Sequence, residues 1–148
     1  MLNSRIACLC SPTLYKKLLE IKPEGCEAKV FEYDRRFSVF GEDFVFYDYK
    51  KPLDLPASVT EHSFDIVLAD PPFLSEECLR KTAETIKYLG KEKIILCTGK
   101  YQWQVQNCLD YSHLSYTESN MLSVAVLSIY VDTFLNFLYK IEHTNDEN

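Results

Sequence analysis

Phe64-Asp-Ile-Val-Leu-Ala-Asp-Pro-Pro-Phe73 decides the reading of the fold. Its centre, Ile66-Val-Leu-Ala69, is continuously apolar, as a parallel strand is when helices cover both of its faces. The run stops at Asp70-Pro71-Pro72-Phe73, where two prolines fix φ and remove two backbone donors. A buried strand ending in a rigid acidic loop belongs in an open α/β sheet. Such sheets hold their ligands outside the carboxyl ends of the strands.

The flanking sequence continues the alternation. Ile6-Ala-Cys-Leu-Cys10 reads as a first short strand, stopped by Ser11-Pro12. Pro12 suits the first turn of a helix, where its missing amide costs nothing. Thr13 to Ile21 places Leu14, Leu18 and Ile21 at helical spacing, with Leu19 alongside, before Pro23-Glu24-Gly25 ends the helix. Lys29 to Tyr33 is a second strand, followed by the charged turn Asp34-Arg35-Arg36. Phe44 to Tyr47 is a third, ending in Asp48-Tyr49. The connection over 34–43 has room only for a small helix, and Pro52 and Pro56 mark a loop. Ser63 to Ala69 is the fourth strand. Ser75 is a good N-cap, Glu76 and Glu77 suit the positive helix end, and Leu79, Ala83, Ile86 and Leu89 form a stripe with Thr82 beside it. Gly90 reads as the C-cap. Lys93 to Cys97 is a fifth strand, closed by Thr98-Gly99. The order predicts an α/β protein with a doubly wound parallel sheet.

A chain of 148 residues is one domain by length. The formal charge of -6 opposes a surface built to grip a phosphate backbone, which needs many Lys and Arg. Arg35-Arg36 and Lys50-Lys51 are the nearest basic patches, and both are short. Six cysteines include Cys8, Cys10 and Cys97 in apolar runs, where free Cys acts as a small hydrophobe. Cys8-Leu-Cys10 is expected to point both thiols to one side of a strand, and one such pair makes a weak metal case. His62, His113 and His143 show no metal spacing, so no metal is expected. His62 reads as a solvated loop residue. No apolar signal segment opens the chain, and a reducing cytoplasmic setting fits the free thiols.

The chain changes character after Lys100. Residues 101–121 are polar and aromatic without a clean period. Leu122 to Val131 and Phe134 to Tyr139 are then almost wholly apolar, though Asp132 interrupts them. A charge at mid-bilayer is costly, so a buried strand or helix is expected there rather than a membrane span. The division expected is a core over 1–100 and a divergent segment over 101–148.

The tetrad suits chemistry on an amine. Asp70 can accept a hydrogen bond from a target nitrogen, and Pro71 can direct its backbone carbonyl to the same atom. Two acceptors at fixed angles orient a lone pair in line with a sulfonium methyl, a positional contribution to catalysis. Pro72 holds the turn. Phe73 can cover the target group, and its face attracts cations. The plainer alternative is an acidic turn that merely punctuates a strand. Asp65 and Asp70 are oddly spaced on or beside one strand and fall on opposite faces, which opposes a paired-carboxylate site.

The chain resembles the Asn/Asp-Pro-Pro-Tyr/Phe class of S-adenosylmethionine-dependent methyltransferases. Within that class, residues 5–99 are similar to the eukaryotic protein-lysine methyltransferases that modify translation elongation factor 1A, a group once classed as N6-adenine DNA methyltransferases. The matching text is Arg5 to Cys8, Phe31-Glu-Tyr-Asp-Arg-Arg-Phe37, Phe44-Val-Phe-Tyr-Asp-Tyr49, Pro52 to Pro56, His62 to Val67, Ala69 to Lys81, and Leu96-Cys-Thr-Gly99. The resemblance implies a Rossmann-like fold, S-adenosylmethionine as methyl donor, elongation factor 1A as partner, and a lysine amine as acceptor. With the fold, it makes Glu32 the favoured holder of the ribose hydroxyls and Asp34 a second candidate. Asp48 is assigned to the adenine amino group, and Ser11 and Pro12 to the methionine moiety.

Some features depart from that family. No Gly-x-Gly follows the first strand, where close backbone approach to a nucleotide normally needs glycine. Family members carry a helical segment before the first strand and further strands after the fifth. An incomplete version of the fold is therefore expected. Two other readings stand beside the lysine methyltransferase: an enzyme acting on adenine in nucleic acid, and a non-catalytic truncated product.

Overall fold

The computed structural model describes residues 3–73 and 75–97. The readings made above for residues 101–148, including the apolar run and Asp132, lie outside the described residues. Among the described residues there are five parallel strands: β1 (Arg5–Leu9), β2 (Glu27–Glu32), β3 (Phe44–Phe46), β4 (Phe64–Ala69) and β5 (Gly90–Leu96). They form one sheet in the order β3-β2-β1-β4-β5. The same residues hold the helices α1 (Pro12–Ile21) and α2 (Glu76–Leu89) and a 3-10 segment over Arg35–Asp43. The fold is Rossmann-like.

The strand order explains the placement of the helices. From β1 the chain moves outward through β2 to β3, then returns to the other side of β1 for β4 and β5. Parallel crossovers keep one hand, so reversing direction puts the connecting elements on opposite faces. One face packs Ile6, Cys8, Val30, Ile66 and Leu68 under Leu14, Tyr15 and Leu18 of α1, with Phe40 of the 3-10 segment at its margin. The other packs Ala7, Leu9, Phe31, Val67 and Ala69 under Leu79, Ala83, Ile86 and Leu89 of α2. Ile66, Val67, Leu68 and Ala69 are all buried, as their unbroken apolar run requires. The expected stripe of α2 is likewise buried throughout.

Local chemistry sets the element ends. Pro12 occupies the first turn of α1. Ser75 caps α2 by accepting from the Cys78 amide at 3.2 Å, and Glu76 and Glu77 lie in the first turn. Asp34 caps the 3-10 segment through the Arg36 amide at 2.9 Å. No helix joins β3 to β4. Residues 47–63 instead cross the α2 face as an irregular loop, with Val59 buried among the core residues there.

Two expectations change in the structure. Gly90 is the C-cap of α2 as expected, its amide donating to the Ile86 carbonyl, but it is extended at φ -87 and is already the first residue of β5, so the strand begins before Lys93. Cys8 and Cys10 do not share a side. Cys10 adopts a left-handed φ of 54, which breaks the strand alternation after Leu9. Cys8 therefore packs toward α1, and Cys10 against the α2-side core. His62 is an exposed loop residue, as expected, and is also tied down: its Nδ1 lies 2.8 Å from the Gly90 carbonyl, and its amide donates to the Tyr88 carbonyl at 2.7 Å. The five cysteines among the described residues are free, as expected. No helix among them is long and apolar enough to cross a membrane.

Candidate active site

The ladder hydrogen bonds continue past the carboxyl ends of four strands and align the residues that follow. Cys10 donates its amide to the Phe31 carbonyl at 2.8 Å, and Asp70 to the Leu9 carbonyl at 3.0 Å. Cys97 donates to the Ala69 carbonyl at 2.8 Å, and Tyr47 to the Glu32 carbonyl at 3.1 Å. Cys10 and Asp70 thus stand side by side at the end of β1 and β4. There the strand order reverses, and the connecting loops diverge to leave a crevice.

Asp70 occupies that crevice with its carboxylate half-buried. Among the described residues no hydrogen bond or ion pair reaches it, and burial pushes its proton affinity up. Pro71 is half-buried beside it, Pro72 is exposed, and Phe73 is 57% exposed. The Phe73 ring meets Tyr49 edge to face, with centroids 5.8 Å apart. The loop after β3 and the loop after β4 therefore touch across the α2 side of the sheet. The motif anticipates Phe73; Tyr49 was not singled out for a role. Its signal was the aromatic repeat Tyr47-Asp48-Tyr49, which as a strand end carries no position in space.

The acidic candidates separate. Glu32 ends β2 half-buried, and its Oε1 accepts the amides of Tyr33 at 2.9 Å and Asp34 at 3.2 Å. Asp34 turns away: it caps the 3-10 segment and pairs with the Arg36 guanidinium, which holds its carboxyl below the usual range. Asp48 accepts the Lys50 amide at 2.9 Å through Oδ1, closing the turn that follows β3. Cys10 lies among these groups. Burial pushes its thiol pKa upward, and the nearby Glu32, Cys78 and Asp70 push it further the same way. It serves as a small neutral packing group.

The turn between β1 and α1 works without glycine. Cys10 takes the left-handed conformation that glycine would favour. Ser11 is 3% exposed, and its hydroxyl donates to the Leu68 carbonyl of β4 at 3.2 Å instead of capping α1. That bond closes the turn onto β4 at the strand-order reversal. The Ser11 hydroxyl is thus spent inside the fold, and Pro12 stands half-buried at the start of α1. Among the described residues no group of His, Cys, Asp and Glu has the arrangement of a metal site.

A family described as probable N6-adenine methyltransferase matches residues 2–138. The chain belongs to this family. Among curated members of similar sequence, human EEF1A lysine methyltransferase 1 is 61% identical over 97 residues, covering 66% of this chain and 45% of that protein. The Gallus gallus protein of the same name is 63% identical over 97 residues, covering 66% and 46%. Protein-lysine N-methyltransferase M142.8 of Caenorhabditis elegans is 49% identical over 102 residues, covering 65% and 46%. The chain spans a little under half the length of these three relatives.

Proposed function

We propose that this chain carries part of an S-adenosylmethionine-dependent protein-lysine N-methyltransferase acting on translation elongation factor 1A. The observation that carries the reading is Asp70. It is a half-buried carboxylate without a partner among the described residues, fixed by two prolines where the strand order reverses. The identity to proteins named as lysine methyltransferases of EEF1A supports the acceptor.

The donor set fits the nucleoside part of S-adenosylmethionine. Glu32 spends Oε1 on two amides and keeps Oε2 for the ribose hydroxyls. Asp48 keeps Oδ2 for an amino group. Asp34 is a weaker candidate, because Arg36 already neutralises it. Ser11 and Pro12 form the backbone wall beside the methionine moiety. When bound, the cofactor supplies a methyl group on a positively charged sulfur.

The chain's own residues then prepare the acceptor. Asp70 and the Pro71 carbonyl accept hydrogen bonds from the lysine nitrogen, and their fixed angle aims its lone pair. Burial raises the proton affinity of Asp70, which makes it a better acceptor for an ammonium hydrogen than an exposed carboxylate. The lysine must give its proton to solvent before it attacks; the low-dielectric surroundings disfavour the ammonium, against the pull of the Asp70 carboxylate. Phe73 offers its ring face to the cationic side chain and excludes water from one side. Such a reaction belongs in the cytoplasm, where translation proceeds. In this proposal every residue assigned to the site lies within 1–100.

The test has two arms. Calorimetry on the purified 148-residue chain should show one saturable site for S-adenosylmethionine. Mass spectrometry should then detect methyl-lysine on elongation factor 1A, lost in Asp70→Ala while cofactor binding remains. A folded, soluble sample that binds no cofactor overturns the reading. Methylation unchanged in Asp70→Ala removes the role given to Asp70.

The description of the family favours a second reading, in which the acceptor is adenine in nucleic acid. The same tetrad can hold an exocyclic amine once the base is flipped out. The net charge of -6 weighs against a nucleic-acid surface. Labelled methyl groups entering protein-free DNA or RNA would reverse that judgement.

A further inference from the structure

The loop between β3 and β4 contains no helix of its own, and it carries Asp48 and Tyr49. One buried hydroxyl on α2 meets both flanks of the turn that holds them. Thr85 is 0% exposed. Its Oγ1 lies 2.8 Å from the Tyr47 hydroxyl, on one side of residues 48–51. It also lies 2.9 Å from the Pro52 carbonyl, on the other side. A threonine hydroxyl has one hydrogen. The Pro52 carbonyl can only accept, so with Thr85 donating to it the Tyr47 hydroxyl is the donor of the 2.8 Å contact, Thr82 being a second side-chain partner of that hydroxyl. Burial pushes the Tyr47 phenol above its ordinary range and keeps it a donor. The Lys81 carbonyl, 3.4 Å from Thr85, is a longer competitor for the same hydrogen.

Between these anchors the turn is closed by its own bonds. The Lys50 amide donates to Asp48 Oδ1 at 2.9 Å, and the Lys51 amide to the Asp48 carbonyl at 2.9 Å. Lys81, one helical turn before Thr85, donates its ammonium to the Lys50 carbonyl at 3.2 Å. Tyr49 projects from the middle of the turn onto Phe73.

We infer that Thr85 is a positioning residue of the site, clamping the Tyr47–Pro52 turn so that Asp48 and Tyr49 face the crevice together. The inference rests on the proposed function for what the turn binds. The clamp itself rests on the hydrogen bonds alone. A packing role would need only the volume and methyl group of the side chain, which valine supplies. A clamp needs the hydroxyl, which serine retains.

The test compares Thr85→Val, Thr85→Ser and Tyr47→Phe in the full 148-residue chain, by hydrogen exchange resolved to the Lys50 and Lys51 amides and by calorimetric titration with S-adenosylmethionine. Thr85→Val should speed exchange at both amides about tenfold, the effect of one lost buried hydrogen bond. Exchange at Ala7 and Val67 in the sheet should stay as it was. Thr85→Ser should restore wild-type exchange. Tyr47→Phe, which leaves the Pro52 bond intact, should give a smaller acceleration in the same two amides and covers the case in which Thr85→Val does not fold. Cofactor affinity should fall in parallel, by about tenfold in Thr85→Val. Exchange at Lys50 and Lys51 unchanged in a folded Thr85→Val, or in Tyr47→Phe if the former is unfolded, overturns the clamp. Accelerated exchange with unchanged cofactor affinity removes the positioning role. If wild type binds no cofactor, the functional reading fails and the exchange data still decide the clamp.

Discussion

Replacing Gly90 by Ala tests how α2 passes into β5. A Cβ on Gly90 would sit 3.1 Å from Val67 Cγ2 and 3.2 Å from the Ile86 carbonyl oxygen. The φ of -87 is open to any residue, so the penalty is steric and not conformational. Overpacking of this kind costs about 1–3 kcal/mol. The lost freedom of glycine in the unfolded chain returns roughly 0.4–1 kcal/mol. Gly90→Ala should therefore destabilise by about 1–2 kcal/mol. In urea that lowers the midpoint by roughly 0.5–1 M for a slope near 2 kcal/mol/M. The decisive measurement is a double-mutant cycle with Val67→Ala. Val67 is fully buried, and truncating it opens space beside the new methyl. The pair should be about 1 kcal/mol more stable than the sum of the single changes. Rescue is partial, because the Ile86 carbonyl belongs to the helix backbone and cannot swing away. Strict additivity, or a net stabilisation by Gly90→Ala alone, would refute the helix-to-strand junction described here.

Further outcomes follow from the charged and sulfur groups. Burial raises the folded-state pKa of Asp70, so stability should fall as pH rises through the usual carboxylate range toward that raised value. Asp70→Asn should then raise the melting temperature at neutral pH, lose the gain in acid, and abolish methyl transfer; a lower melting temperature at pH 7 would contradict the assignment. Asp65 behaves oppositely: the Arg5 amide at 2.8 Å and the Lys91 ammonium at 2.7 Å hold its pKa down. Its contribution is present above the usual carboxylate range and lost as pH falls through the lowered value, and Asp65→Asn should cost about 1 kcal/mol at pH 7 after allowance for solvent screening. Burial pushes the Cys8 thiol up to about 12, so peptide-resolved alkylation at pH 8 should leave Cys8 unmodified until the chain unfolds.

The sheet was legible where burial is two-sided and the chain is locally consistent. Ile66 to Ala69 can only be an interior strand, and the Ser75 cap with the Leu79-Ala83-Ile86-Leu89 stripe marks α2 without help from distant residues. The crevice was legible in outline, because prolines at 71 and 72 announce a rigid loop after a buried strand. Three details needed the fold. Cys10 reads as one more strand residue until its left-handed φ turns it to the other face. Gly90 stops α2 as its helix-stop signal says, but that β5 starts at the same residue is set by pairing with β4. Thr85 is an ordinary helix residue in the sequence, and its role arises from Tyr47 and Pro52, more than 30 positions away. Period and propensity report local preferences, whereas these positions are set by groups that meet only after the sheet assembles.

The central place of β1 also bears on how the protein is made. Its register partner β4 lies far along the chain, with Leu9 meeting Ala69 and Ile6 meeting Ile66. A ribosome adding about 5–20 residues per second needs some ~3–11 s to travel from Leu9 to Phe64. Until β4 is made, one edge of the buried strand β1 has no neighbour, although β2 is synthesised first and can cover the other. Vulnerability to misassembly is thus set by translation speed as well as by the final free energy, and a nascent-chain chaperone that shields Ile6 to Leu9 would be of use only until Ala69 is delivered.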